Sequence, residues 1–230
     1  MADNKNVQEK DSSEAVIAKA KGFWDKYNKP LMIVSTLIIL VIGGWYVYQN
    51  FFVKPKETKA VEAMFRAEEY YRLDSVNLAL NGDGQNPGFV KISDKYSGTK
   101  AGKLASFYAG SCYLKLNQYE KAVKYLKKFS SESELIQARA YKLLGDAYAD
   151  WGKNDDALSY YKKAGRHFEK DEANSPEYLF AAAYFADKVM KNQKEAIFLY
   201  KEIKEKYPRS QQSFEADNYL AQLGVYSSEN

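Results

Sequence analysis

The sequence predicts an all-α protein: an N-terminal single transmembrane helix, then a solenoid of paired helices closed by a C-terminal capping helix. Three observations predict it. Residues 30–53 contain no charged side chain, and Lys29 and Lys54 bracket them. From Lys103 onward, small and aromatic residues recur at an interval of about 35 positions, the sign of a repeat architecture. Finally, 230 residues that are 46% apolar, 15% aromatic and 28% charged can bury a core, which excludes a wholly disordered chain.

Residues 1–30 are read as a short tail on the cytoplasmic side, its first dozen residues polar and without fixed structure. Over residues 14–27, Val16, Ala20, Phe23, Trp24 and Tyr27 recur at helical spacing between lysines. That pattern fits an interfacial helix on the inner leaflet, and equally a juxtamembrane extension of the span. Residues 31–53 form the anchor. At about 1.5 Å per residue such a helix runs roughly 35 Å, against a hydrocarbon core of about 30 Å. Leu31 opens it, Val53 closes it, and Trp45, Tyr46, Tyr48 and Phe51 crowd its end as rings do at a membrane interface. A cleaved signal peptide is the alternative, with Val41-Ile42-Gly43 as a tolerable cleavage site, but the apolar run continues past it.

Orientation does not follow from the flanking charges, because Lys19, Lys21, Lys26 and Lys29 balance Lys54, Lys56, Lys59 and Arg66. A short lysine-bearing tail stays inside and a long C-terminal domain crosses largely regardless of charge, which favours a cytoplasmic N-terminus. Residues 54–230 are then a periplasmic domain of a bacterial inner-membrane protein. Lysine and glutamate alternate through it without a basic block, so nucleic acid is not an expected partner.

Beyond the anchor, residues 57–80 read as one helix with Ala60, Met64, Ala67, Tyr71 and Val76 on a face. Residues 81–88 hold three glycines and a proline and predict a loop. Residues 89–96 then supply the second helix of a degenerate first pair. Aligning Gly110 with Gly145 also aligns Tyr113 with Tyr148, Ala122 with Ala157 and Tyr125 with Tyr160. A third copy centres on Ala196, with Tyr200, Ile203 and Pro208 following and an insertion near Asn174-Ser175-Pro176. Residues 211–223 predict the cap, with Phe214, Tyr219, Leu220 and Leu223 facing inward.

This spacing resembles the tetratricopeptide repeat, whose helix-turn-helix unit has a small eighth residue, alanine at the twentieth and an aromatic at the twenty-fourth. The sequence departs from it at the fourth position, which is Ser106, Tyr141 and Phe180, and at Tyr184, which stands where the third copy should have a glycine. The resemblance implies a concave groove lined by first helices. In register it presents Phe107, Ser111 and Leu114, then Arg139, Lys142 and Asp146, then Tyr178, Phe185 and Lys188 to a protein partner. Arg139 and Lys142 suit a carboxylate, while Phe107, Tyr178 and Phe185 fit packing inside the solenoid as well as contact with a partner.

No enzyme is expected. His167 is the sole histidine, Cys112 lies in an apolar helical pattern, and Asp155-Asp156 and Glu68-Glu69 are adjacent and so diverge on a helix. No metal-ligand spacing, phosphate loop or dinucleotide fingerprint occurs, which predicts no metal, no cofactor and no small-molecule substrate. The order of tail, anchor, long helix, repeats and cap resembles the YfgM-like ancillary subunits of the bacterial SecYEG translocon. That resemblance implies an adaptor whose partners are the SecYEG translocon and a PpiD-like membrane-anchored chaperone, serving exported proteins as they emerge. A scaffold of another envelope machine, for outer-membrane assembly, secretion or motility, and a membrane-bound regulator are the alternatives.

Overall fold

The computed structural model describes the backbone of residues 3–226 and the side chains of residues 17–226. The chain divides into two compact units, Met1–Pro55 and Lys56–Asn230. Among the described residues all regular elements are helical, and one isolated bridge joins Gly82 and Pro87.

In the first unit, α1 spans Asp3–Tyr48 and passes into a π-turn at Gln49–Val53. The polar residues from Asp3 on therefore join the helix instead of remaining irregular. Pro30 sits inside it, where the missing N–H deprives the Lys26 carbonyl of its helical donor. Within the apolar stretch, the Ser35 and Thr36 hydroxyls donate to the Met32 carbonyl at 2.9 and 2.8 Å. The Asn50 amide donates to the Tyr46 carbonyl at 2.8 Å. Polar side chains here are thus satisfied by their own helix, as an apolar solvent would require. The helix is long and apolar enough to cross a membrane, with none of its most apolar stretch buried. Leu31, Trp45, Tyr46, Tyr48 and Phe51 are all exposed, and Val53 is half-buried.

In the second unit the helices are α2 (Lys54–Arg72), α3 (Val76–Asn81), α4 (Phe89–Lys95), α5 (Lys100–Lys115), α6 (Tyr119–Leu126), α7 (Glu134–Asp150), α8 (Asn154–His167), α9 (Asn174–Tyr184), α10 (Gln193–Lys206) and α11 (Gln211–Gln222). A π-turn, Phe185–Val189, continues α9. One local device organises them. Asp74, Asn117, Gly152, Lys191 and Gly224 each take positive φ, between 53° and 75°. The next N–H then returns to a carbonyl five residues back: Ser75 to Tyr70, Gln118 to Tyr113, Lys153 to Tyr148, Val225 to Leu220. Every such turn after Asp74, Asn117, Gly152 and Lys191 leads from a first helix into a second.

The turn at Asp74 corrects the expectation of one helix over residues 57–80. Leu73-Asp74-Ser75 ends α2 and starts α3, so the first pair is α2 against α3 and α4. The loop between α3 and α4 is an insertion into the second helix. Asp83 holds it: its carboxylate accepts the Gln85 and Asn86 N–H groups at 2.9 and 2.6 Å and the Tyr70 hydroxyl at 2.8 Å. With the Asn86 side-chain amide, which donates at 2.9 Å, there are four donors, and led by the Asn86 backbone and then its side chain they hold the Asp83 carboxyl well below the usual carboxylate range. The later insertion also shifts. Asn174-Ser175-Pro176 begins α9, and the extra residues are 168–173, where Asp171 accepts from Ala173 and Asn174.

The small residues of the repeat do what close packing demands. A Cβ at Gly110 would lie 2.5 Å from Leu126 Cγ, and one at Gly145 2.5 Å from Tyr161 Cδ1. The aligned aromatics make the same contact twice: Tyr113 to Tyr125 and Tyr148 to Tyr160, each with ring centroids 5.4 Å apart. Parallel α2 and α5 are tied end to end. Glu57 accepts the Lys100 and Ala101 N–H groups that open α5, both at 2.8 Å, and Lys115 at its close pairs with Asp74 at 2.6 Å. At the far end α11 buries Ser213, Ala216 and Leu220 and stacks Tyr219 on Tyr200 at 5.3 Å. Phe214, expected inward, is instead 66% exposed, because the buried stripe of α11 runs three and four residues apart from Ser213 and leaves Phe214 beside it.

Candidate functional site

The residues expected in the groove separate into two groups. The aromatic ones, with Ser111, are buried. Phe107 packs on Phe129 with ring centroids 5.2 Å apart, where the end of α6 folds back on α5. The Ser111 hydroxyl lies 2.8 Å from that of Tyr71, joining α5 to α2. Tyr178 packs with Ala138 and Ala164, and Phe185 meets Tyr161 edge-on at 5.6 Å. Their burial is the packing of neighbouring helix pairs, which hydrophobic spacing alone does not distinguish from a face awaiting a partner.

The charged ones reach solvent. Arg139 is exposed, and Lys142, Asp146, Lys188 and Leu114 are half-buried. Lys142 pairs with Asp146 one turn on at 2.9 Å, and Asp146 also accepts the Tyr161 hydroxyl at 2.9 Å. Through Tyr161 the fold therefore brings Lys142, Asp146 and Phe185 into one cluster, whereas Phe107 and Ser111 belong to another around Tyr71 and Phe129. Burial, and next the Asp146 charge, push the Tyr161 hydroxyl far above the ordinary phenol range.

Burial raises the hydroxyls of Tyr108 on α5 and Tyr178 on α9, and the Arg139 guanidinium on α7 opposes both shifts. Exposed on α7, the Arg139 guanidinium is chemically suited to carboxylates and carbonyls. Tyr108 was missed in the sequence. It is half-buried, stacks on Phe89 at 4.9 Å, and follows Phe107 by a single position, so a strict helical-face reading passes over it.

Open depressions lie elsewhere. One of about 500 Å³, between the starts of α5 and α7, is lined by Lys100, Lys103, Leu104, Phe129 and Ile136. A wider one of about 960 Å³ follows α8 and α10 past Lys162, Arg166, Phe198 and Glu202. Neither includes Arg139, Lys142 or Asp146. Cys112 is fully buried and its thiol is pushed up to about 12 by that burial, which makes it a packing residue and no nucleophile at neutral pH. His167 ends α8 with its ring edge-on to Tyr141 at 5.1 Å. Among the described residues no group of three histidine, cysteine or carboxylate side chains is placed to hold a metal ion.

A family model described as a tetratricopeptide repeat-like domain matches residues 21–140, from within the apolar helix through α5 and α6 into α7. A second, described as a tetratricopeptide repeat, matches residues 177–210, which are α9, its π-turn and α10. No curated protein matches the chain.

Proposed function

Because the chain belongs to the tetratricopeptide repeat-like domain family, we propose that it is a membrane-anchored adaptor that binds other proteins through the inner face of its first helices. Its repeats are of a protein-interaction type, and the family match takes in the apolar helix together with the repeats that follow. That joint match is the observation that carries the reading: one family model takes in residues of the apolar helix and of the repeats that follow. In this reading residues 1–30 are cytoplasmic, 31–53 span the inner membrane and 54–230 stand in the periplasm. Arg139, with Lys142, Asp146 and Lys188, meets the partner, while Phe107, Ser111, Leu114, Tyr178 and Phe185 shape the face beneath it.

The partners that best suit this order of parts are the SecYEG translocon and a PpiD-like anchored chaperone. What supports them is the resemblance to YfgM-like subunits in the sequence of tail, anchor, repeats and cap. Crosslinking the full-length protein in its native membrane, then purifying in mild detergent with mass spectrometry, tests this. Recovery of translocon subunits and an anchored chaperone is expected. Recovery of an outer-membrane assembly, secretion or motility complex in their place overturns the translocon assignment and keeps the adaptor.

A further inference from the structure

We propose that the fourth helix pair contains a subsite for a cationic side chain of a protein partner, an arginine or lysine, which Lys188 fills while no partner is bound. The subsite is a refinement of the adaptor reading and rests on it. Asp187 is 6% exposed and Tyr200 fully buried, and neither Asp187 Oδ2 nor the Tyr200 hydroxyl has a hydrogen-bond partner. Buried polar groups are ordinarily satisfied, so an unpaired phenol hydroxyl, together with a buried carboxylate oxygen whose one close partner is the ammonium of the next residue, needs a reason.

The groups around them share one chemistry. Asp187 and Lys188 come from the π-turn, Tyr184 from α9, Tyr200 from α10 and Tyr219 from α11. Tyr219 stacks on Tyr200, and Tyr184 meets Tyr219 edge-on at 5.8 Å. A carboxylate, a phenol oxygen and ring faces can all attract a cation, and the carboxylate repels an anion. Lys188 shows the fit: its Nζ lies 2.6 Å from Asp187 Oδ2 and 5.2 Å from the Tyr219 ring centre. It is a local occupant, reaching Asp187 from the next position of the same turn. Its side chain and Tyr184 remain partly exposed, so a cation arriving from outside meets them first. The third pair is the control. There Asp146 has both Lys142 and the Tyr161 hydroxyl, and no polar atom is left over. A π-turn in a first helix, of the kind often found at functional sites, is what brings Asp187 inward.

The test is a Lys188→Ala variant of the full chain in detergent, unfolded thermally with and without ethylguanidinium chloride, against sodium chloride at equal ionic strength. Ethylguanidinium at about 10 mM should raise the variant's midpoint by a few degrees in a saturable way, and the wild type should respond at roughly tenfold higher concentration. If Lys188→Ala is unfolded alone, the cation should refold it. The Asp187→Asn/Lys188→Ala double variant should show no such protection. Protection of Lys188→Ala no greater than of the wild type, or equal protection of the double variant, overturns the proposal. Neither outcome depends on which proteins co-purify, so the adaptor reading stands or falls separately.

Discussion

Helices α7 and α8, and helices α9 and α10, are the same structural unit built from different residues, and the contrast shows what keeps a repeat in register. In the third pair Gly145 lets Tyr161 approach, and the hydroxyl of Tyr161 donates to Asp146. In the fourth, Tyr184 stands where the glycine should be and Tyr200 takes the place of Tyr161. A tyrosine cannot face another at that distance. The helix instead widens by a π-turn after Tyr184, leaves that side chain 44% exposed, and buries Ala182, Ala183 and Ala186. The return hydrogen bond records the extra residue: Asn192 bonds to Ala186, six back, where the regular turns reach five. Register is kept, at the expense of a tyrosine hydroxyl and a carboxylate oxygen left without hydrogen bonds.

The largest expected loss comes from removing the ring that joins the two pairs. Phe185→Ala should destabilise by about 3–4 kcal/mol, read as the loss of denaturant midpoint, because Phe185 fills the space against Tyr161. Next, Gly145→Val should cost roughly 2–3 kcal/mol, or about 4–12 °C in melting temperature, since the new methyls meet the Tyr161 ring. The two tyrosines sharpen the contrast further. Tyr161→Phe should cost about 1–2 kcal/mol, as Asp146 loses a buried donor, whereas Tyr200→Phe should be neutral or slightly stabilising because its hydroxyl bonds to nothing. Equal costs for the two would show that both hydroxyls are satisfied alike.

The smallest effect is a pH dependence at the seam between the pairs. Arg166 on α8 grips Glu202 on α10 with two hydrogen bonds, and Lys206 adds an ion pair at 3.2 Å. Burial alone would raise the Glu202 carboxyl, but Arg166 and then Lys206 outweigh it and hold it below its ordinary value. A depressed folded-state value means the contribution is present above the unfolded pKa of about 4.3 and lost as pH falls through the folded one. Glu202→Gln should therefore flatten the fall in melting temperature between neutral pH and acid, with little change in the slope above pH 6.

Much of this was legible in the sequence, and the exceptions have physical causes. The 35-residue interval matched Tyr113 with Tyr148 and Tyr125 with Tyr160, and small residues at Gly110 and Gly145 marked where helices touch. The turn at Asp74 was hidden because Leu73-Asp74-Ser75 contains neither glycine nor proline. Its likeness to Leu116-Asn117-Gln118 is visible only once both are known to adopt the same left-handed turn. Phe107, Tyr178 and Phe185 were placed on the right helices, yet periodicity says which face is apolar and not which neighbour covers it. The π-turn has no sequence signature beyond the misplaced Tyr184, so the burial of Asp187 could not be read at all.

The inner face of the first helices is the proposed interaction surface, and a site-specific photo-crosslinker reads it. Placed at Arg139 in the full-length protein in its native membrane, it should capture discrete protein partners. Placed at Lys124, exposed on a second helix, it should capture few or none. Equal capture at both positions, or capture at Lys124 alone, would contradict the assignment of the inner face as the interaction surface.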